Sequence, residues 1–367
     1  MLHVERIERL AEILSETGLD ALYLGPSTDV EYLAELRLFH DERVKGLMVS
    51  SDGRCFAMTP LLYKEEMGAA LGDRVTLKVW ADSDGFRGSF RSGCEELGLI
   101  GKKIAVNDGV RAVDLIDMKN TVDAEFVNGT DTLSPLRKVK DETELGYLRR
   151  AGAIADEVME YLAKFIRAGM SEREVQEKIV SLYNNAHGVE LSFHPIVASG
   201  PGGSMPHYSR NDRILTGGDF VVVDMGCRYN GYCSDTTRTF FIGEPSAEQR
   251  RVYEIVLEAQ RAGETAVRSG ATGQDVDRTA RKIIEDAGYG DCFLNRLGHG
   301  VGIAIHEEPY IVEGNDTPLQ PGNVFSVEPG IYIAGKYGVR IENLVAVRPD
   351  GTAEALNNFT REMIMIK

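Results

Sequence analysis

The segment GDFVVVDMG (residues 218–226) recurs 104 positions later, without a gap, as GNVFSVEPG (residues 322–330). A second pair of segments, RAGMSEREV (residues 167–175) and RSGATGQDV (residues 268–276), has almost the same offset of 101 positions. Similar segments at two nearly equal offsets indicate an internal duplication. We therefore predict two halves, each built of helices and a β-hairpin, related by a pseudo-twofold axis.

An acidic residue ends the apolar strand of each half, and a second acid follows on the returning strand. In the first half the strand ends at Asp224, and Asn230-Gly231 is typical of a two-residue hairpin turn. That turn pairs positions whose numbers sum to 461, so Asp235 faces Gly226 and lies diagonal to Asp224. The hairpin therefore predicts two carboxylates on one face of the sheet.

The second hairpin repeats this arrangement with glutamates. A three-residue loop, Gly335–Tyr337, would pair positions that sum to 672, so that Glu342 faces Gly330 and lies diagonal to Glu328. The predicted symmetry would bring the four carboxylates of both hairpins together. Buried carboxylates stay ionised only beside cations, and two divalent ions would balance these four charges. The alternative is that these acids lie in turns or on the surface.

Histidines supply a second set of candidate ligands. Four of the seven lie in the middle and late parts of the second half of the chain: His194, His207, His299 and His306. Small residues flank His299 and would let its backbone approach a neighbour closely. His306 lies seven positions after His299, too far for both to chelate one ion as in a short H-x-x-x-H helix. We therefore expect that one of His299 and His306 binds metal and the other contacts the substrate. We predict structural roles for His3 and His187 and leave His194 unassigned.

The overall composition narrows the class of protein. The chain has 367 residues, 43% hydrophobic and 27% charged, a balance typical of about two folded domains. A net charge of −16 disfavours nucleic-acid binding, because phosphates would be repelled. No apolar run approaches the roughly 18–20 residues of a membrane span, and the amphipathic start differs from a secretory signal. Five scattered cysteines without a C-x-x-C pair predict a reduced, cytoplasmic protein.

The chain is predicted to form two domains of unequal size. Residues 1–134 alternate helical and extended signals, which predicts a smaller α/β domain, and they contain no cluster of candidate ligands. The basic run at residues 137–140 lies near the boundary. Residues 135–367 form the larger domain, which begins with a long helix capped by Asp141 and ending near Gly169.

The motifs of the larger domain resemble those of a known family. They are VDMG (223–226), CSDTTR (233–238), GHGVG (298–302) with His306-Glu307, SVEPG (326–330) and VRIE (339–342). Their order and spacing are similar to those of the pita-bread metallopeptidases, in the branch of Xaa-Pro aminopeptidase (aminopeptidase P) and Xaa-Pro dipeptidase (prolidase). DVEYL (29–33) and DER (41–43) resemble the smaller N-terminal domain of the same family. The resemblance implies a mixed α/β (α+β) chain whose second domain has the pseudo-twofold pita-bread fold.

The resemblance also implies roles for individual residues. The implied metal ligands are Asp224, Asp235, His299, Glu328 and Glu342, with Asp235 and Glu342 bridging two ions. His207 and His306 would contact the substrate and stabilise the tetrahedral intermediate, Glu328 would also carry a proton, and Arg340 would support the ligands. Asn295 and Asn343 depart from residues common in relatives, but they leave every ligand position in place.

The implied reaction is hydrolysis of the Xaa-Pro bond in proline-containing peptides. A dipeptidase is slightly favoured, and an Xaa-Pro aminopeptidase acting on longer peptides remains the alternative. A metal-free creatinase-like enzyme and a non-catalytic peptide-binding module are remote alternatives, because all five ligands are kept. One imidazole among oxygen ligands favours Mn²⁺ or Co²⁺, and the set also accepts Zn²⁺ or Fe²⁺.

Two further expectations concern assembly and thiols. Relatives of this form are typically homodimers, and the resemblance implies that residues 38–43 approach the active site of the partner; an ordinary solvated loop is the alternative. The 461 register puts Cys227 opposite Ser234 and Cys233 opposite Arg228, so the two thiols point to opposite faces. We therefore predict that both cysteines are unlinked.

Overall fold

The computed structural model describes residues 2–367, and the chain forms two compact units, one ending at Arg137 and one comprising Lys138–Lys367. Its α-helices are α1 (Val4–Glu16), α2 (Thr28–Ala34), α3 (Lys64–Leu71), α4 (Arg87–Glu96), α5 (Ala112–Thr121), α6 (Ser134–Arg137), α7 (Glu142–Phe165), α8 (Glu172–Ser181), α9 (Ala247–Ala266) and α10 (Gly273–Asp286). Among the described residues, no helix combines the length and apolarity that a membrane span requires.

The strands of the first unit are β1 (Ala21–Leu24), β2 (Gly46–Ser50), β3 (Cys55–Pro60), β4 (Thr76–Trp80), β5 (Lys103–Val106) and β6 (Glu125–Asn128). They form one mixed sheet in the order β4-β3-β2-β1-β5-β6. Helix α1 buries Ile7, Leu10 and Leu14, which recur at helical spacing, and it is followed by Gly18 at φ +68°. The first unit thus has the α/β character that its alternating pattern predicts.

The strands of the second unit are β7 (Glu190–Leu191), β8 (Ile196–Ser199), β9 (Phe220–Met225), β10 (Cys227–Tyr229), β11 (Tyr232–Cys233), β12 (Thr236–Ile242), β13 (Gly298–Gly300), β14 (Glu307–Ile311), β15 (Val324–Val327), β16 (Gly330–Ile333), β17 (Tyr337–Arg340), β18 (Asn343–Val347), β19 (Ala353–Ala355) and β20 (Ile364–Ile366). The larger sheets have the orders β20-β12-β9-β8 and β14-β13-β15-β18-β19. Helices α7 and α8 share one apolar core with the first sheet, and α9 and α10 share another with the second.

The duplication predicted from the sequence is visible in the caps of equivalent helices. Ser171 caps α8 and Thr272 caps α10, each in a capping box closed by the acid three positions later. Each cap residue also forms an isolated antiparallel bridge, Ser171 with Ile214 and Thr272 with Pro318. These bridge partners are separated by 101 and 104 positions, the two offsets of the sequence repeat. Helix α7 is capped by Asp141 as expected, but it ends at Phe165, four residues before the predicted end.

The first hairpin has the predicted register. Tyr229 pairs with Tyr232, and Asn230 and Gly231 adopt φ values of +48° and +86°, as a two-residue primed turn requires. Between β9 and β12, Thr237 pairs with Asp224 in the same 461 register. The structure also confirms that Cys227 and Cys233 are unlinked, since all five cysteines are free thiols.

The second hairpin differs from the predicted register by two residues. Ile333 pairs with Tyr337 and Gly330 with Arg340, so paired positions sum to 670 and Glu342 does not face Gly330. Tyr337 extends the strand instead of closing the loop, which contains residues 334–336. The same register holds between β15 and β18, where Val327 pairs with Asn343, so Glu328 and Glu342 lie next to that pair. A shift of two keeps each side chain on its predicted face, so both glutamates still share one side.

Candidate metal centre

One cavity of the second unit collects the predicted site residues. Its volume is about 580 Å³, within the range typical of small-molecule sites. The lining residues are Phe193, His194, Ile196, Pro206, His207, Asp224, Asp235, Asn295, Arg296, His299, Ile305, His306, Glu328, Tyr332, Arg340 and Glu342. Every residue predicted as a metal ligand or a catalytic group is among them.

Three of the predicted ligands are close enough to share one ion. Asp235, His299 and Glu342 each offer a donor atom, and these atoms all lie within 4.8 Å of one another. The three side chains belong to different segments, and each residue is at most 5% exposed. Sequence-distant acids are therefore concentrated away from water, where unpaired charge is costly.

The imidazole of His299 is oriented by its own backbone. Its Nδ1 lies 3.2 Å from the carbonyl oxygen of Gly300, so a proton on Nδ1 would donate to that oxygen and leave the Nε2 lone pair exposed to the acids. Nε2 is 3.2 Å from Glu328 Oε1 and 3.7 Å from Asp235 Oδ2. A lone pair facing carboxylate oxygens at these distances requires a proton or a metal cation between them.

Glycine allows the histidine strand to approach its neighbour. A Cβ on Gly298 would lie 1.8 Å from the carbonyl oxygen of Ser326 on β15, which no side chain could tolerate. The Ser326 hydroxyl accepts the backbone N–H of His299 at 3.0 Å and donates to Glu328 Oε1 at 3.1 Å. Gly298 thus permits the close backbone approach that the small residues around His299 predict.

A network of hydrogen bonds joins acids from both halves of the second unit. Arg340 Nη2 donates to Asp224 Oδ2 at 2.6 Å, and its Nε donates to the hydroxyl of Thr237 at 3.1 Å. Thr237 in turn donates to Glu342 Oε2 at 2.7 Å. Asp224 Oδ1, by contrast, is buried and has no hydrogen-bond partner among residues 2–367. That oxygen is free to bind a cation.

The carboxylates of the cluster carry more negative charge than the neighbouring cationic side chains balance. Burial, followed by the negative charges of neighbouring carboxylates, raises the pKa of Asp235 and Glu342 well above their ordinary values. Burial also raises the pKa of Asp224, although Arg340 opposes the shift. Arg340 alone cannot balance four acids. Divalent cations would hold all of them ionised, so the donor set and its charge fit a dinuclear metal site.

The remaining histidines are distributed as the sequence suggests. His207 and His306 line the cavity, and the His306 ring packs edge-on against His299 with centroids 4.2 Å apart. Burial, followed by the proximity of His299 and Arg296, lowers the pKa of His306 to about 4. His306 is therefore neutral near pH 7 and has one N–H to donate. His194 also lines the cavity.

Three histidines lie outside the cavity, His3, His40 and His187, and the sequence predicts a structural role for His3 and His187. His187 is 3.7 Å from Glu157, and His3 is 3.0 Å from Glu35. Neither lines the wall of the candidate site. Their positions agree with the structural reading of both residues.

Several site residues were missed from the sequence. Thr237 pairs with Asp224 across the first hairpin, so the predicted register could have identified it. Tyr332, whose hydroxyl accepts from Arg340 at 3.0 Å, lies just beyond the SVEPG motif. Phe193 and Arg296 carry no local signal, because only the tertiary fold brings their segments to the cavity.

The fold and this cluster define a class of hydrolytic metalloenzyme. Residues 146–349 match metallopeptidase family M24, and residues 6–139 match the creatinase/prolidase N-terminal domain. The chain belongs to metallopeptidase family M24, whose members depend on a dinuclear metal site. It is an enzyme with the pita-bread catalytic fold preceded by this N-terminal domain.

Similar proteins match along nearly the whole chain. The probable dipeptidase PepE of Mycobacterium tuberculosis is 38% identical, over 99% of this chain and 96% of its own length. The Xaa-Pro dipeptidase of Pyrococcus furiosus is 33% identical, over 98% of this chain and 99% of its own. The crystal structure of a prolidase from Thermococcus sibiricus superimposes with a TM-score of 0.95 at 37% identity, covering 100% of both chains.

Proposed function

We propose that this chain hydrolyses the peptide bond that precedes proline, with dipeptides as its preferred substrates. The observation that carries the proposal is the convergence of Asp235, His299 and Glu342 donor atoms within 4.8 Å in a substrate-sized cavity. Full-length similarity to an Xaa-Pro dipeptidase and a prolidase supports the choice of substrate.

The cavity wall is suited to a proline ring. Four of its residues are apolar, Phe193, Ile196, Pro206 and Ile305, and they share the cavity with the carboxylate cluster. A pyrrolidine ring is apolar, and its nitrogen has no N–H once it forms a peptide bond. An Xaa-Pro bond therefore leaves no unpaired N–H against these four apolar side chains, whereas an ordinary peptide bond would.

The five proposed ligands are Asp224, Asp235, His299, Glu328 and Glu342, with Asp235 and Glu342 shared between two ions. When bound, two divalent ions polarise the scissile carbonyl and lower the pKa of water, so that a nucleophile forms near neutral pH. The single imidazole among carboxylates favours Mn²⁺ or Co²⁺.

The chain's own groups complete the chemistry. His306, neutral near pH 7, donates an N–H to the oxyanion that develops on the scissile carbonyl, and His207 holds the substrate from the same cavity. Glu328 would take the proton that the attacking water gives up and pass it to the proline nitrogen as the C–N bond breaks. Arg340 holds Asp224 in its binding orientation through the 2.6 Å contact.

The substrate proposal is tested by adding Mn²⁺ to metal-stripped protein and comparing Ala-Pro with Ala-Pro-Ala. A dipeptidase cleaves Ala-Pro with the higher kcat/KM. Preference for the tripeptide would favour the aminopeptidase alternative, and cleavage of Ala-Ala at the rate of Ala-Pro would contradict proline specificity.

The roles of the histidines are tested by alanine variants. His207→Ala and His306→Ala should lower turnover by about 100-fold or more, as expected for lost transition-state contacts, with metal content nearly unchanged. His187→Ala is the control outside the cavity and should behave like wild type. Loss of an ion from either cavity variant would contradict its assignment to the substrate.

We also propose a cytoplasmic homodimer in which residues 38–43 approach the active site of the partner. The five free thiols are consistent with a reducing compartment, and Phe39 in this loop is 73% exposed. His40→Ala should then raise KM without changing metal content, and activity should fall on dilution below the dimer dissociation constant. An active monomer in sedimentation, indifferent to the substitution, would contradict this arrangement.

A further inference from the structure

Arg296 lies in the wall of the catalytic cavity, and no acid among residues 2–367 forms an ion pair with it. The other arginine of the wall, Arg340, is held by Asp224 and by the hydroxyl of Tyr332. Within residues 2–367, the guanidinium of Arg296 has no ion pair or hydrogen bond; its described side-chain contact is the ring of Tyr310, 4.4 Å from Cζ to the centroid. A stacked guanidinium is held in place while its donors stay available.

The backbone on both sides of Arg296 is also held. The carbonyl of Asn295 accepts from Arg281 Nη2 at 2.8 Å, and the N–H of Leu297 donates to Asp277 Oδ1 at 2.9 Å. Arg281 and Asp277 form an ion pair with each other at 2.7 Å, and Asp277 is fully buried. This pair anchors the segment that carries Arg296 and limits the directions its side chain can take.

The chemistry of the substrate supplies an anion for this cation. The five donors of a guanidinium match a carboxylate in bidentate fashion, and such charge-assisted pairs are strong and directional. In an Xaa-Pro dipeptide the free carboxylate is attached to the Cα of proline, within one residue of the scissile bond. In a longer peptide that position is occupied by a neutral amide, which binds a guanidinium more weakly than a carboxylate does because it carries no negative charge.

We propose that Arg296 binds the free α-carboxylate of dipeptide substrates and thereby sets the length of peptide that this enzyme prefers. The proposal rests on the Xaa-Pro peptidase function proposed above and assigns its length selectivity to one residue. Tyr310 is a positioning residue that acts through its ring.

The test compares Ala-Pro with its C-terminal amide, Ala-Pro-NH₂, on the Mn²⁺-loaded enzyme. Wild type should favour the acid by about 10- to 100-fold in kcat/KM, the range expected for hydrogen bonds to a charged group. Arg296→Met should abolish this preference, mainly by raising the KM for the acid, while the metal content stays unchanged. Arg296→Lys should retain part of the preference. Arg250→Met, which removes an exposed arginine of α9, is the matched control and should leave both substrates unaffected.

Two variants separate a contact with the carboxylate from a structural role. Tyr310→Phe keeps the ring and should preserve the acid preference, whereas Tyr310→Leu should reduce it. An unchanged ratio of acid to amide hydrolysis in Arg296→Met would overturn the assignment of Arg296 and leave the peptidase proposal standing. Failure of wild type to cleave either substrate would overturn the proposed function and this inference together.

Discussion

Replacing Thr237 with valine isolates one hydroxyl that connects the two halves of the metal site. Thr237 is fully buried, donates to Glu342 Oε2 at 2.7 Å and accepts from Arg340 Nε at 3.1 Å. Valine keeps the shape and removes both bonds. A buried charged group that loses a hydrogen bond costs about 1–3 kcal/mol, which we expect as the loss in free energy of unfolding of the metal-free protein.

Metal affinity should fall with the same substitution. Burial and neighbouring acids raise the pKa of Glu342, and the hydroxyl of Thr237 opposes that shift, so its loss makes a proton compete better with the metal. Removing a partner that orients a ligand typically costs about 10- to 100-fold in affinity. Calorimetric titration of the metal-stripped variant with Mn²⁺ should show a decrease in this range.

Thr239 offers a matched control on the same strand. Its hydroxyl donates to the carbonyl of Arg340 at 2.8 Å and accepts the N–H of Arg340 at 3.1 Å, so it bonds backbone instead of a ligand. Thr239→Val should therefore lower stability in urea by a similar amount and leave Mn²⁺ affinity near wild type. Equal Mn²⁺ affinities for wild type and Thr237→Val, or an equal loss of Mn²⁺ affinity in both variants, would refute the proposed role of this hydroxyl.

Two further predictions concern thiols and glycines. Burial raises the pKa of Cys227 to about 11, so at pH 8 iodoacetamide should modify the half-exposed Cys292 first and leave Cys227 intact. Peptide mass spectrometry measures the two rates of modification, and equal rates would contradict the structure. Gly298→Ala should destabilise the protein by at least 1–3 kcal/mol, on the order of an overpacked core, because its Cβ would meet the carbonyl of Ser326. Gly146→Ala is the control, because a Cβ on Gly146 would have no neighbour within 4 Å. Its free energy of unfolding should be unchanged or roughly 1 kcal/mol higher, and a loss as large as that of Gly298→Ala would contradict the steric explanation.

The two hairpins show which parts of the fold the sequence could predict. Asn230-Gly231 has the chemistry of one specific turn, and that turn determined the register of the first hairpin correctly. The second loop contains Gly335 between residues compatible with either loop or strand, so local chemistry did not distinguish two registers. Packing of Tyr337 in the apolar core extends the strand. Because the error was an even number of residues, the predicted faces of the glutamates survived.

Only those residues of the candidate site that belong to sequence motifs could be predicted from the sequence. The four acids and His299 stand in short motifs that the sequence displays, and the structure brings them into one cavity. Arg296 and Phe193 are brought to the same cavity by different segments of the fold. No spacing within one segment encodes their proximity, so these cavity residues could be identified only from the tertiary structure.

The number of bound metal ions tests the central claim most directly. Wild type loaded with Mn²⁺ and freed of excess metal should contain close to two ions per chain by elemental analysis. Glu342→Ala, which removes a proposed shared ligand, should lose at least one of them. Two fully occupied ions in Glu342→Ala would contradict the bridging assignment, and no more than one ion in wild type would contradict the dinuclear site itself.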